Sequence, residues 1–429
     1  MGSHVKVMIT FRYHIKPTCE QVATLSRHVE ICRQLYNYLL GELNSAREQG
    51  KLLSKATAQA FLPVWKEAGF PELREVYSKV VQMVVQQLYA NLAGLAAKKG
   101  RGYRVGQLRF KGRGWYTSLN YNQSGFFVDW ERGTIRLSKV GVVKATIHRA
   151  LPPEFNIKGI VIKKTRVGKW FACIQCEDAR DLADAPQANY ETYIESSLAA
   201  GGSEVGIDLG IAHFAADSGG HFAESPKFLE LSLAKVKRLQ KSLSRKKKAS
   251  KRRQKVKFAL AKLHEKVTNQ RRDFLHKLSR HYIRHYDVIC AENLAVARMM
   301  EEKRTISSKA ASKSLHRHIA DAGWRMFLNM LAYKAQSAGK LTIFVDPRGT
   351  SQECGACGAS APKNLWDRVH TCPQCGFTPD RDTNASLVIK KRGTGRTPSP
   401  VELTPLLRLA GASAGVEAGT LPESRCIIQ

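Results

Sequence analysis

Apolar and polar residues alternate along HVKVMITFRYHI, residues 4–15, and several are β-branched or aromatic, which predicts a first strand. At Pro17 the period changes. In EQVATLSRHVEICRQLYNYLLGELNSAREQG, residues 20–50, Val22, Leu25, Val29, Cys32, Leu35 and Leu39 recur at three- and four-residue steps, the spacing of one helix face. A second helical stretch, REVYSKVVQMVVQQLYANLAGLAAKKG, ends in a basic, glycine-containing turn. From Tyr103 the pattern shortens. VGQLRFKGRG, GFFVDWERGTIRLSK, VGVVKATIHR and IKGIVIKKTRVGKWFACIQCE read as short strands with glycine turns, and predict a small β-barrel or sheet. After a stretch that reads as a linker, SEVGIDLGIAHFAADSGGHF predicts strand, glycine turn and strand, and a long basic helix pair follows over about 230–286. The strand YDVICAEN, one helix through LHRHIADAGWRMFLNMLAYKAQSAGK, the strand LTIFVDP and a last helix from near Thr383 complete the pattern. From Arg392 the chain is Gly, Pro, Ala and Ser with little periodicity, and is expected to be disordered.

Composition narrows the partners. Lys and Arg number 69 against 36 Asp and Glu, a formal net charge of +33 on 429 residues. Such an excess repels itself unless a polyanion neutralises it, so nucleic acid is the expected partner, bound with steep salt dependence. An anionic membrane surface is the lesser alternative. No apolar run approaches the roughly 20 residues of a spanning helix and no signal peptide is legible, so no membrane partner is expected.

Two clusters carry candidate chemistry. Cys354-x-x-Cys357 and Cys372-x-x-Cys375 have the spacing of two metal knuckles, and four thiolates make a closed tetrahedral structural zinc site with no position for catalytic water. Cys173-x-x-Cys176 has no second pair near it and lies in a predicted strand, where it reads as core. The second cluster is acidic. Asp208 ends the strand VGID before a glycine turn, Glu292 ends VICAE, and Asp382 opens the last helix. Carboxylates gathered at strand ends repel one another unless a cation holds them, and hard oxygen ligands suit Mg2+ or Mn2+. Two such ions support phosphodiester hydrolysis. Asp217 and Asp287, in similar settings, read as turn residues, and Asp380 as a helix cap.

The motifs GIDLGIAHFA, AENL and DRDTNAS resemble those of a RuvC-type nuclease domain with an RNase H-like fold. With DPRGTSQECGACG and HTCPQCG ahead of DRDTNAS, the chain resembles the TnpB family, RNA-guided nucleases encoded by bacterial insertion sequences. Compact type V CRISPR effectors share this plan. The resemblance extends from about residue 5 to 391, with Ser386 where the family commonly has Ala.

The resemblance implies a multidomain α+β protein. A first barrel (wedge) strand over 5–16, a helical recognition region over 17–102 and the rest of the barrel over 103–180 come first. A linker over 181–203 leads to a RuvC-like domain over 204–350, a zinc-ribbon target-binding module over 351–378, the end of the nuclease domain over 379–391 and a disordered tail over 392–429. It implies a guide RNA, double-stranded DNA cut beside a short flanking motif, and a bacterial cytoplasmic location associated with the nucleoid. Motif readers are expected at Ser78, Gln82, Tyr121 and Asn122. From the residues themselves, Arg109, Lys111 and Arg113 alternate as on one strand face and suit a phosphate backbone. Arg245, Lys246, Lys247, Lys248, Arg252 and Arg253 in RKKKASKRRQK are expected against RNA or heteroduplex, and Arg381 against a phosphate. The alternatives are a type V CRISPR effector with the same chemistry and a guided DNA-binding repressor without cleavage. A repressor predicts a missing carboxylate, and none of the three is missing.

Overall fold

The structure, a computed structural model, describes residues 8–178, 190–301, 309–364 and 367–395. Residues 5–7 of the expected first strand, 181–189 of the expected linker and 396–429 of the expected tail lie outside the described residues. The chain divides into two compact units, over 8–178 and 190–395 of the described residues.

In the first unit, β1 (Met8–Lys16) leads into α1 (Cys19–Glu48), α2 (Lys55–Ala60), α3 (Leu62–Ala68) and α4 (Ser78–Gly100). Six strands follow: β2 (Ser118–Asn122), β3 (Phe126–Asp129), β4 (Thr134–Leu137), β5 (Gly141–Thr146), β6 (Phe155–Lys164) and β7 (Trp170–Asp178). Thr18 starts α1 with a capping box: its hydroxyl accepts from the Gln21 amide, and the Gln21 side chain accepts from the Thr18 amide. The predicted stripe faces inward, with Leu25, Cys32, Leu35 and Leu39 fully buried.

The seven strands form one antiparallel sheet in the order β2-β6-β7-β1-β5-β4-β3. Its edge strands, β2 and β3, are joined by residues 123–125 alone, so the sheet must curl until its edges meet: a nearly closed barrel.

Two expectations fail here. The stretch VGQLRFKGRG is not a strand. Asn37 pairs with both the amide (2.7 Å) and the carbonyl (3.0 Å) of Lys111, and Arg33 also donates to that carbonyl (2.8 Å), so side chains of α1 take the place of a neighbouring strand. And α4 is, by length and composition, apolar enough to cross a membrane, with an 18-residue window of mean hydropathy 1.2. The valines of its first half and the Leu and Ala of its second raise that average. Here the helix packs Val80, Val81, Val84, Val85 and Leu88 into the barrel-side core.

The second unit begins with α5 (Tyr190–Ala199) and the strands β8 (Glu204–Asp208), β9 (His213–Asp217) and β10 (Phe222–Glu224). Then come α6 (Phe228–Ser244), α7 (Lys251–His285), β11 (Val288–Glu292), α8 (Val296–Glu301), α9 (Lys309–Ala322), α10 (Trp324–Ser337), β12 (Leu341–Val345) and α11 (Arg381–Gly393). The last helix thus takes in Arg392 and Gly393, which the pattern assigned to the tail. The single helix expected over 315–340 is broken at Gly323, whose φ of 74° is the left-handed conformation glycine tolerates.

The sheet order is β10-β9-β8-β11-β12, with β8, β11 and β12 parallel and β9 and β10 antiparallel. VICAE and LTIFV are buried at every position, as parallel strands covered on both faces must be. Val205, Ile207, Ile289, Ala291 and Phe344 pack with Phe327, Leu328 and Leu331 of α10. On the opposite face α11 lies so close to β8 that a Cβ at Gly206 would overlap the Ser386 carbonyl oxygen.

Candidate nuclease site and its metal-binding ribbon

Strand parity directs the carboxylates. Gly206 and Cys290 face α11, so Asp208 and Glu292, two residues further along β8 and β11, face it too. The two strands are in register at Ile207 and Ala291, and Asp208 and Glu292 are the next step. Asp382 lies in the first turn of α11. Asp380 is the N-cap, accepting from the amides of Asp382 (2.8 Å) and Thr383 (3.2 Å), and so fixes the turn that carries Asp382. The three carboxylates come together at the carboxyl ends of parallel strands, the usual ligand-binding edge of such sheets.

Their electrostatics follow. Burial holds the Asp208 carboxyl well above the usual carboxylate range, and the charges of Glu292 and Asp382 push it further, with Arg381 acting in the opposite direction. Burial also raises Glu292; the Thr350 hydroxyl and the Arg392 charge counter it, while Asp346 adds to it. An acidic trio with Glu292 buried and Asp208 and Asp382 half-buried is a poor metal-free arrangement and a good cradle for divalent cations.

Several positioning residues were missed in the sequence. Thr350, 2% exposed, donates 2.7 Å to Glu292 Oε1. Arg392 donates to the carbonyls of Asp346 and Arg348 and forks onto Glu353, folding the 346–353 loop around the end of α11. Asp346 follows the third parallel strand, and the same strand-end pattern in LTIFVDP that drew notice to Asp208 and Glu292 was the signal for it.

The four cysteines converge. Their sulfurs all lie within 4.8 Å of one another, with Cys354–Cys375 at 3.7 Å and Cys357–Cys372 at 3.6 Å. Zn–S bonds of about 2.3 Å in a tetrahedron put sulfurs about 3.8 Å apart, so the donor set fits zinc. Backbone N–H groups of Cys375 and Gln374 pull the Cys372 thiol down, toward the thiolate a metal needs, while at Cys375 the pull of the Phe377 amide is outweighed by desolvation and the neighbouring sulfurs, which push that thiol up. Gly358 (φ 81°) and Gly376 (φ 72°) close the two knuckles. Gly355 permits close approach: a Cβ there would stand 2.8 Å from Leu387 Cβ on α11.

The first knuckle and α11 form one body. Asn384, fully buried two residues past Asp382, donates to the Glu353 carbonyl (2.7 Å) and accepts from the Gly355 amide (2.8 Å), gripping the backbone on both sides of Cys354. Lys391 adds a bond to the Ala356 carbonyl (2.8 Å), and Val369 bridges Asp380 at the other half of the ribbon.

The expected nucleic-acid contacts divide. Ser78 opens α4 exposed, its hydroxyl met by Lys66 Nζ at 3.0 Å; Gln82 and Asn122 are half-buried. Tyr121 is corrected: it is 1% exposed, its ring stacked on Tyr77, because alternation along β2 turns it into the core. Arg109 and Arg113 are exposed but lie in the irregular loop, not on a strand face, and Arg113 sits 4.0 Å from Glu30. The Lys111 ammonium lies 5.6 Å from the Tyr36 ring centroid. Arg245, Lys247, Lys248 and Arg252 are exposed and Lys246 half-buried where α6 turns into α7. Arg253 is corrected: it folds back onto the carbonyls of Leu243 and Lys246 and ties that turn. Arg381 opens α11, its amide bonded to the Arg368 carbonyl (2.8 Å). Asp217 is the turn residue expected, accepting from the Gly219 and His221 amides.

Comparison with known proteins matches residues 187–303 to the family described as "Probable transposase" and 324–389 to "Cas12f1-like, TNB domain". Residues 7–51 match "Helix-turn-helix domain"; here they carry β1 and α1. A "Putative RNA-guided DNA endonuclease" of Streptomyces pristinaespiralis is 31% identical over 397 residues, covering 90% of each chain. "Putative RNA-guided DNA endonuclease InsQ" of Escherichia coli K12 is 30% identical, covering 91% of this chain and 93% of its own. Among solved structures, a Cas12f1–sgRNA–target DNA complex aligns with a TM-score of 0.49 and 14% identity over 86% of this chain and 82% of that one.

Proposed function

The chain belongs to the TnpB family, and from that premise we propose that it is an RNA-guided endonuclease that cuts double-stranded DNA beside a short flanking motif. The observation that carries this reading is the convergence of Asp208, Glu292 and Asp382 on the face of β8 and β11 covered by α11. Two divalent cations held by these carboxylates would supply water activation and stabilisation of the leaving oxygen in phosphodiester hydrolysis.

The chain's own residues prepare that site. Thr350 orients the Glu292 carboxylate and favours its ionised form, and Asp380 sets the turn that carries Asp382. Arg381, between the two acidic residues of DRD, is our candidate for contact with the scissile strand's phosphate. The four cysteines hold a structural zinc, and the ribbon, bound to α11, presents a DNA strand beside the site that cuts it. Each strand is cut in turn at the one site, leaving 5′-phosphates. Base pairing with a guide RNA selects the target, while Ser78, Gln82 and Asn122 read the flanking motif.

Sequencing the RNA that copurifies with the full chain tests the guided part of this reading. A defined RNA from a transposon end is expected. A repeat–spacer RNA would move the chain to the type V CRISPR effectors, and no defined RNA would overturn guidance.

A further inference from the structure

The barrel unit contains a cleft of about 900 Å3, at the upper end of small-ligand pockets, and of its lining only Lys111 is among the contacts expected above. One wall is α4, with Gln86, Gln87 and Asn91; the other is the sheet, with Asn120 of β2, Lys163 of β6 and Gln175 of β7. Lys55 and Lys111 complete its cations, and among the described residues no Asp or Glu lines it. Three lysines in a lining that offers no acidic side chain favour an anion. The carboxamides offer donors and acceptors together, as base edges require. One is left wanting: Asn120 Oδ1 is buried and has no hydrogen-bond partner among the described residues. A buried acceptor in that state is costly unless a ligand donates to it.

Trp115 also lines the cleft, yet is 62% exposed. The chain presents it deliberately. Its amide closes a turn onto the Gly112 carbonyl (3.1 Å) with Gly114 at φ 79°, the positive value a type II turn needs at that position. The loop before it is pinned through Lys111 by Asn37 and Arg33. The Arg166 guanidinium lies 5.6 Å from the indole centroid. An exposed, fixed indole beside cations is the stacking platform of single-strand binding sites.

We infer that this cleft captures unpaired nucleotides, with a base stacked on Trp115, base edges or sugar hydroxyls bonded to Asn120 and the neighbouring carboxamides, and phosphates on Lys55, Lys111 and Lys163. A duplex hides its stacking faces, so the ligand is single-stranded. The inference rests on the reading of the chain as a nucleic-acid enzyme, but not on its active site.

The test uses the full chain stripped of RNA, five-nucleotide oligo-U and oligo-dT labelled with fluorescein, and a blunt 12-base-pair duplex. Trp115→Ala is expected to weaken pentamer binding at least about fivefold, the lower end of one base stack, without changing the salt slope. Trp115→Phe restores most of the loss, and duplex affinity is unchanged. Lys163→Gln lowers the salt slope instead. Preference for U or dT assigns the strand to RNA or DNA. Photocrosslinking of 5-iodouracil pentamers provides an independent readout, with adducts expected on the Trp115 peptide. Unchanged pentamer affinity in Trp115→Ala with crosslinks elsewhere, or equal loss for pentamer and duplex, overturns the inference. Cleavage by the Asp208→Ala variant, measured separately, bears on the nuclease reading alone.

Discussion

Thr350 is the side chain best suited to separate the assembly of the acidic site from its ligands. Its hydroxyl contributes no metal bond in this account, yet it holds Glu292 Oε1 at 2.7 Å. Thr350→Val keeps the shape and removes the bond. We expect the Mg2+ concentration for half-maximal cleavage to rise about tenfold, as for other residues that orient metal ligands, with much of the rate recovered at high Mg2+. A Mg2+ titration of cleavage checks this. Asp208 makes a second prediction. Its folded-state carboxyl is raised, so the metal-free fold holds a proton that the unfolded chain has lost, and this group's stabilising effect is present at low pH and lost as pH rises through the folded value. Mg2+ must compete with that proton. The rise in Tm on adding Mg2+ should therefore be larger at pH 8 than at pH 6, read by calorimetry with EDTA as reference. At this scale the carboxylates were legible because each ends a strand or opens a helix. Tyr121 and Arg253 were misread because residue type says nothing about which face of a short strand, or which side of a turn, is inward.

Among the elements, α11 carries the closest coupling. It brings Asp382 to the sheet, packs on Gly206, and holds the first zinc knuckle through Asn384. Asn384→Leu leaves the Glu353 carbonyl and the Gly355 amide buried without partners. It should cost about 1–3 kcal/mol in denaturant unfolding and speed zinc loss to a chelator, followed with a zinc-sensitive dye. Unchanged zinc release would contradict the coupling. Most elements were visible as periodicity: the alternation of β1, the stripe of α1, the continuous apolar runs of β11 and β12. What was not visible was long-range. Residues 105–114 have strand composition, but Asn37 and Arg33, some 75 positions earlier, take the backbone groups of Lys111. Gly323 was tolerable inside a helix by propensity alone, but its left-handed φ turns the chain from α9 into α10 against Arg271 and Leu275 of α7.

For the whole molecule, a net charge of +33 around the acidic edge proposed to be catalytic places binding and chemistry on groups of opposite sign. Affinity for duplex DNA should fall by orders of magnitude between about 50 and 200 mM salt, measured by anisotropy, while the cleavage rate of DNA already bound changes little. The family was legible because the cysteine and carboxylate motifs are local in sequence; their fusion through α11 was not, since the bonds joining them link residues on either side of the ribbon. The central claim is that Asp208, Glu292 and Asp382 form the site that cuts DNA. It is tested most directly by guide-dependent cleavage and target binding measured side by side for Asp208→Ala. The account predicts cleavage reduced at least about a thousandfold, roughly 4 kcal/mol of transition-state stabilisation, with target binding retained. Cleavage at the wild-type rate by a variant that still binds its target would contradict it.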